Sequence, residues 1–269
     1  MNASLFKAML KTNGKSIVSY AVGAAFYMFL VIWIYPSIAK SDALEQLFKE
    51  MPQGYLSAFG IDGGMLGDLS GFLAAEYYGL LFLIILMIFS VVTATQLIAR
   101  LVDRGSMAYL LSTSTSRSQI AITQSIILVL GLVTITLFSI LPVLLGANWI
   151  IEDADINILR FIEMNIVGFL LFFVISGYSF LFSCIFNDEK RALAISGGLS
   201  IIFFAINLVA KMSEDFEWLK KFTIFSAFQP TEIAKGTVDI LPVSIALGGT
   251  GIALFVIAIV IFKKRDLPL

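Results

Sequence analysis

Gly14-Lys15-Ser16 has the ending of a phosphate-binding loop, in which backbone amides cradle phosphates and a lysine reaches them. That loop needs another glycine five residues before its second one, and Met9 stands there. An apolar run follows where a nucleotide-binding helix should open, so the triplet is read as chance. No other stretch resembles a nucleotide site, and any ATP dependence must reside on another polypeptide. The chain has no histidine, which removes Ser-His and Cys-His nucleophile pairs and imidazole metal sites. Its one cysteine, Cys184, supports neither an internal disulfide nor a metal cluster. Asp62 lies within a glycine-rich run, residues 60–67, and Asp68 follows it, but two carboxylates without the DxDxDG spacing read as a turn in preference to a calcium site. Glu76, at the outer edge of the second apolar run, is the one candidate acid for a membrane-embedded enzyme, and an interfacial position accounts for it. The expectation is no catalytic set, no metal site and no cofactor on this chain.

The remaining chemistry is polar and sits inside apolar surroundings: Thr93, Thr95, Gln96, Gln119, Gln124 and Asn207. Such side chains can line a path for an amphipathic molecule, and hydrogen bonding between helices explains each of them equally well. The elements that carry them follow from composition. Apolar residues make up 59% of 269 and charged residues only 14%, with a mean hydropathy of +0.94. Soluble domains run at about 45–50% apolar and about 25% charged. Net charge is −1, which gives nothing for a nucleic-acid partner to hold. A polytopic membrane protein is the class that remains, all-α, with lipid as its solvent.

A spanning helix needs about 20 apolar residues. Uncharged runs of that kind cover residues 16–39, 77–99, 118–151, 164–187, 192–210 and 240–262. The third, at 34 residues, exceeds one crossing. The first is read as retained, because it outruns the about 7–15 residue core of a signal peptide. Six crossings put both termini on one side. The amino end, residues 100–117, the connection 188–191 with Lys190 and Arg191, and the tail hold eleven basic and four acidic residues. The alternate, longer loops hold seven basic and fifteen acidic. Short Lys/Arg-rich loops stay in the cytoplasm, so both termini are expected there.

Outside the spans, residues 1–15 set Leu5, Phe6, Met9 and Leu10 on one helix face and Lys7, Lys11 and Lys15 on another, the pattern of an interfacial helix on membrane lipid. An ordinary basic flank accounts for the lysines too. The outer loops are 40–76, with an amphipathic stretch at Ala43–Met51, and 211–239, with an apolar run at Phe222–Phe228 too short to span. That run suits a re-entrant or interfacial helix, or a packed loop. Ser196-Gly197-Gly198 and Gly248-Gly249-Thr250-Gly251 are small enough for close helix approach. None of the six runs carries Asp, Glu, Lys or Arg, which counts against ion-coupled transport.

Residues 100–117 form the one stretch with a signature: a basic turn, a short helix at Met107–Leu111, then hydroxyl residues able to cap the next helix. An exposed helix carrying Tyr109, Leu110 and Leu111 needs a cover, either lipid or a soluble partner. Here the sequence resembles the membrane permeases of type-2 ATP-binding-cassette (ABC) transporters, mostly bacterial exporters. Their members carry an acidic residue, Arg or a neighbour, Gly-Thr, a Leu-Leu pair and Ser-x-Pro-x-Ser-Arg at this location. The matching residues are Asp103, Arg104, Gly105, Ser106, Leu110, Leu111, Ser112, Ser116 and Arg117, with Ser114 in the place of proline and Ser106 in that of threonine. The six-span layout and basic tail agree along nearly the whole chain. The resemblance implies a single permease domain over 1–269 whose 100–117 segment is a coupling helix docked on a separate ABC ATPase that binds ATP and magnesium. It also implies a second permease copy or sibling, and the bacterial plasma membrane. An ATP-independent carrier, or a sensory or assembly subunit, is the alternative.

Overall fold

The computed structural model describes residues 2–39, 41, 46, 50–58, 68–151 and 156–266. The run at 60–67 with Asp62, and most of the stretch from Ala43, lie outside the described residues. Within them every regular element is helical, and six helices are long and apolar enough to cross a membrane. The crossings are α1 (Ala3–Ala39), a composite second helix, α7 (Arg117–Ile150), α8 (Ile158–Ile185), α9 (Glu189–Met212) and α11 (Ile240–Lys264). The second joins α3 (Leu69–Glu76), a wide π-helical turn (Tyr77–Leu81), α4 (Phe82–Leu97) and α5 (Ala99–Asp103). Shorter pieces are α2 (Gln53–Ala58), α6 (Ser106–Leu111), 3-10 segments at Glu214–Phe222 and Ile224–Ala227, and α10 (Pro230–Lys235).

The composite second helix is the centre of the bundle: 61% of its most apolar stretch is buried, against 22% for α9. Around it, α1 packs along α7 and α11 along α8. The seam on α1 is Ile17, Ala21, Ala24, Met28, Val31 and Tyr35, alternating steps of four and three that keep one face on its neighbour. Without a hydrophobic drive between helices in lipid, small residues and polar bonds hold the seams. A Cβ on Gly251 of α11 would lie 2.3 Å from Phe173 of α8, so the glycine is where the ring fits. Buried cross-links add to this: Tyr77 with Ser139 at 2.6 Å, Tyr78 donating to Asn165 at 3.0 Å, and Tyr178 with Ser200 at 2.6 Å.

Two boundaries differ from expectation. Residues 3–15 are not a separate helix: α1 runs through them without a break, because the change at residue 15 is one of charge and a lone Gly14 costs a helix only about 1 kcal/mol. α8 begins six residues before the uncharged run, since Asn157 caps it and Arg160 pairs with Glu163 at 2.7 Å inside its first turns. The apolar run at Phe222–Phe228 packs as a loop with short helical turns, one of the alternatives left open by the sequence. It folds as two 3-10 pieces that bury Phe225 and Phe228 against the core.

Candidate functional site

Residues 100–117 gather at one end of the bundle with the α8–α9 connection and the carboxyl-terminal tail. The segment starts with a break. At Ile98 the helix departs from regular geometry (φ −126°), and the amide of Ala99 donates to Ser183 Oγ at 2.9 Å. Ser183 in turn donates to the carbonyl of Thr95 at 3.3 Å. One hydroxyl from α8 thus fills the gap between a donor and the acceptor four residues earlier, which is how an inserted side chain bends a helix.

Beyond α5 the chain reverses at Arg104-Gly105. Gly105 has φ +70°, a left-handed conformation that L side chains resist, and it opens α6. α6 buries Met107 completely and lays Leu110 and Leu111 against the core, leaving Tyr109 80% exposed. Its carbonyl end is tied off by hydroxyls: Ser112 donates to Tyr109 O at 2.9 Å, and Thr113 and Thr115 donate to Leu110 O at 2.7 and 2.8 Å. Ser116 then opens α7 in a reciprocal capping box, accepting from the Gln119 amide at 3.3 Å while its own amide donates to Gln119 Oε1 at 2.9 Å.

Two sets of contacts tie the loop to its neighbours. Asp103 accepts from the amide of Glu189 at 3.3 Å, and Arg100 stands 3.8 Å from the Glu189 carboxylate, which joins the loop to the start of α9. Asp188 caps that start by accepting from Arg191 N at 2.8 Å. Arg117 donates to the carbonyl of Arg265, whose guanidinium donates to Cys184 O at 2.6 Å, to Phe186 O at 3.3 Å and to Asn187 Oδ1. Partial burial pulls the Arg265 guanidinium below its ordinary pKa, and arginine in proteins still keeps its charge.

The residues singled out in the sequence therefore divide by what they touch. Asp103, Ser112, Ser116 and Arg117 are engaged inside the loop or with its neighbours, and Gly105 sets its turn. Leu110 and Leu111 anchor α6, and Arg104 and Tyr109 face outward. The path candidates are not brought together. Thr95 donates to Val91 O at 2.5 Å inside its own helix, and Gln124 reaches the sulfur of Met9 at 3.3 Å across the α1–α7 seam. Thr93 is buried and Gln96 half-buried, while Asn207 lines a cavity at the opposite end. Sequence reading missed Ser183, Glu189 and Asn187; their roles depend on residues more than 70 positions away and leave no local pattern.

Residues 66–260, most of the chain, match the protein-family model described as ABC-2 family transporter protein. The chain belongs to that family. It is an ABC transporter permease with six membrane-spanning-length helices among the described residues, and permeases of this kind work with an ABC ATPase. The family is a membrane component of transporters and typically not itself catalytic. No curated protein matches the chain.

Proposed function

We propose that this permease is the membrane half of an ATP-driven bacterial exporter. In this reading residues 100–117 dock the ATPase on the cytoplasmic face, and two permeases, identical or sibling, enclose the path of an amphipathic cargo such as a peptide, drug or lipid. Both termini lie in the cytoplasm, in line with the concentration of lysine and arginine at that end. ATP and magnesium are held by the ATPase.

The observation that carries the docking role is α6: pinned on its inner side by Met107, open on its outer side at Tyr109, preceded by the exposed Arg104, and braced by the Gly105 turn and the Ser116–Gln119 box. Movement of α6 reaches α4 through α5, α7 through the capping box and α9 through Asp103. An ATPase whose nucleotide state favours one position of α6 then shifts the population of the spans. The charge-free runs suit an amphipathic cargo.

Co-purification tests the role. A tagged chain brings down an ATPase, and Arg104→Glu with Tyr109→Asp loses it while the permease remains monodisperse. Leu110 is a poorer target, since it packs on the core. Retention of the ATPase by the double variant would overturn the docking assignment.

A further inference from the structure

At the end of the bundle opposite to residues 100–117, the last turns of α9 and the pieces that follow enclose a cavity of about 380 Å³, within the about 300–1,000 Å³ range of small-molecule sites. Its lining carries both signs of charge, and some of that charge is already committed. Lys220 holds Glu217 at 3.1 Å, and Glu232 accepts the Thr237 hydroxyl at 2.5 Å. Three groups are uncommitted. Asn207 is 2% exposed, and its buried carboxamide oxygen has no hydrogen-bond partner. A buried polar group left so costs about 1–3 kcal/mol, which a ligand can recover. Lys211 follows one turn on, on the same helix face, with no ion pair among the described residues. Glu214, on the adjoining 3-10 segment, likewise has none there. An amide, an ammonium and a carboxylate facing one small cavity complement a molecule with both an anionic oxygen group and a cation.

Depth identifies the source. α9 has 24 residues, about 36 Å at 1.5 Å each, so Lys211 stands about one hydrocarbon thickness from Glu189. The segment Glu214–Phe222 leaves Phe216, Trp218 and Phe222 exposed among acids and lysines, with Trp218 edge-on to Phe222 at 5.8 Å. Aromatic side chains of this kind collect at the membrane–water boundary. The cavity therefore opens at headgroup level in the leaflet opposite to the docking loop.

We propose that this cavity binds the headgroup of a zwitterionic phospholipid, its phosphate toward Lys211 and its ammonium toward Glu214 and the unpartnered Asn207 Oδ1. The site is independent of the docking role and of the identity of the cargo.

Native mass spectrometry of the full chain, released from nanodiscs of mixed phosphatidylethanolamine and phosphatidylglycerol, tests it. Wild type retains one phosphatidylethanolamine in preference to phosphatidylglycerol, and free O-phosphoethanolamine competes for the site. Lys211→Met and Glu214→Gln each lower retention about ten-fold, the loss expected for one charge-assisted hydrogen bond, and Lys211→Arg keeps it. Equal retention by wild type and Lys211→Met would overturn the site. So would indifference between the two lipids. Displacement by glycylglycine with no lipid retained would assign the cavity to a soluble zwitterion and overturn the lipid assignment. Monodisperse elution of each variant, with helical content unchanged, separates loss of binding from loss of fold.

Discussion

Replacing Gly105 tests whether the loop is pre-shaped for a partner. Its φ of +70° and ψ of −1° place it in the left-handed region, and no atom beyond its chain neighbours lies within 4 Å of where a Cβ would stand. A substitution there meets no neighbour, so its cost is the backbone's own: about 1–2 kcal/mol for an L residue, less for asparagine, more for a β-branched one. Relief of that strain requires giving up the bonds from Gly105 N to Val102 O (3.0 Å) and from Ala108 N to Gly105 O (3.2 Å), which set the direction of α6. The fraction of chains presenting α6 correctly then falls, and apparent affinity falls with it. Since about 1.4 kcal/mol is tenfold, Gly105→Ala should weaken ATPase binding about 5–30-fold and Gly105→Asn about 3-fold or less. Gly105→Val should weaken it beyond the alanine variant. The assay is titration of purified ATPase onto nanodisc-held permease. An order that ignores φ preference, with valine binding as well as asparagine, would refute a docking role for the turn.

Ser183→Ala removes both bonds that Ser183 makes at the Ile98 break and should lower thermal stability by about 1–3 kcal/mol, because a buried donor and acceptor lose their partner; Ser183→Thr should restore most of it. Gly251→Ala drives a methyl into Phe173 and should cost about 1–3 kcal/mol in denaturant or thermal unfolding, with Phe173→Leu as partial rescue; additive losses from the pair would contradict the packing. Cys184 is fully buried and the only cysteine, so single-cysteine variants label cleanly. On intact cells a membrane-impermeant maleimide should label Trp218→Cys, and should reach Tyr109→Cys only after permeabilisation. The reverse pattern would invert the topology.

Much of the fold was legible because lipid imposes it. Each crossing needs a long uncharged run, and the six runs found match the six spanning-length helices among the described residues. Their ends were less legible, since caps and ion pairs such as Asn157 and Arg160–Glu163 extend a helix past its apolar run. The π-helical turn at Tyr77–Leu81 and the break at Ile98 left no local trace; the break depends on Ser183, 84 residues on in the chain. In the candidate site, the Gly105 turn, the short helix and the hydroxyl cap were readable, because turn and cap chemistry is local. The engagement of Asp103 with Glu189, and the meeting of Arg117 with the tail, were not, because each depends on how distant connections are brought to one end of the bundle.

The docking of residues 100–117 on an ATPase is tested most directly by site-specific photo-crosslinking in native membranes. A benzophenone amino acid at position 109 should capture an ATP-binding subunit, and the same probe at position 218 should not. Capture from 218, or none from 109 while the permease still co-purifies with its ATPase, would contradict the docking.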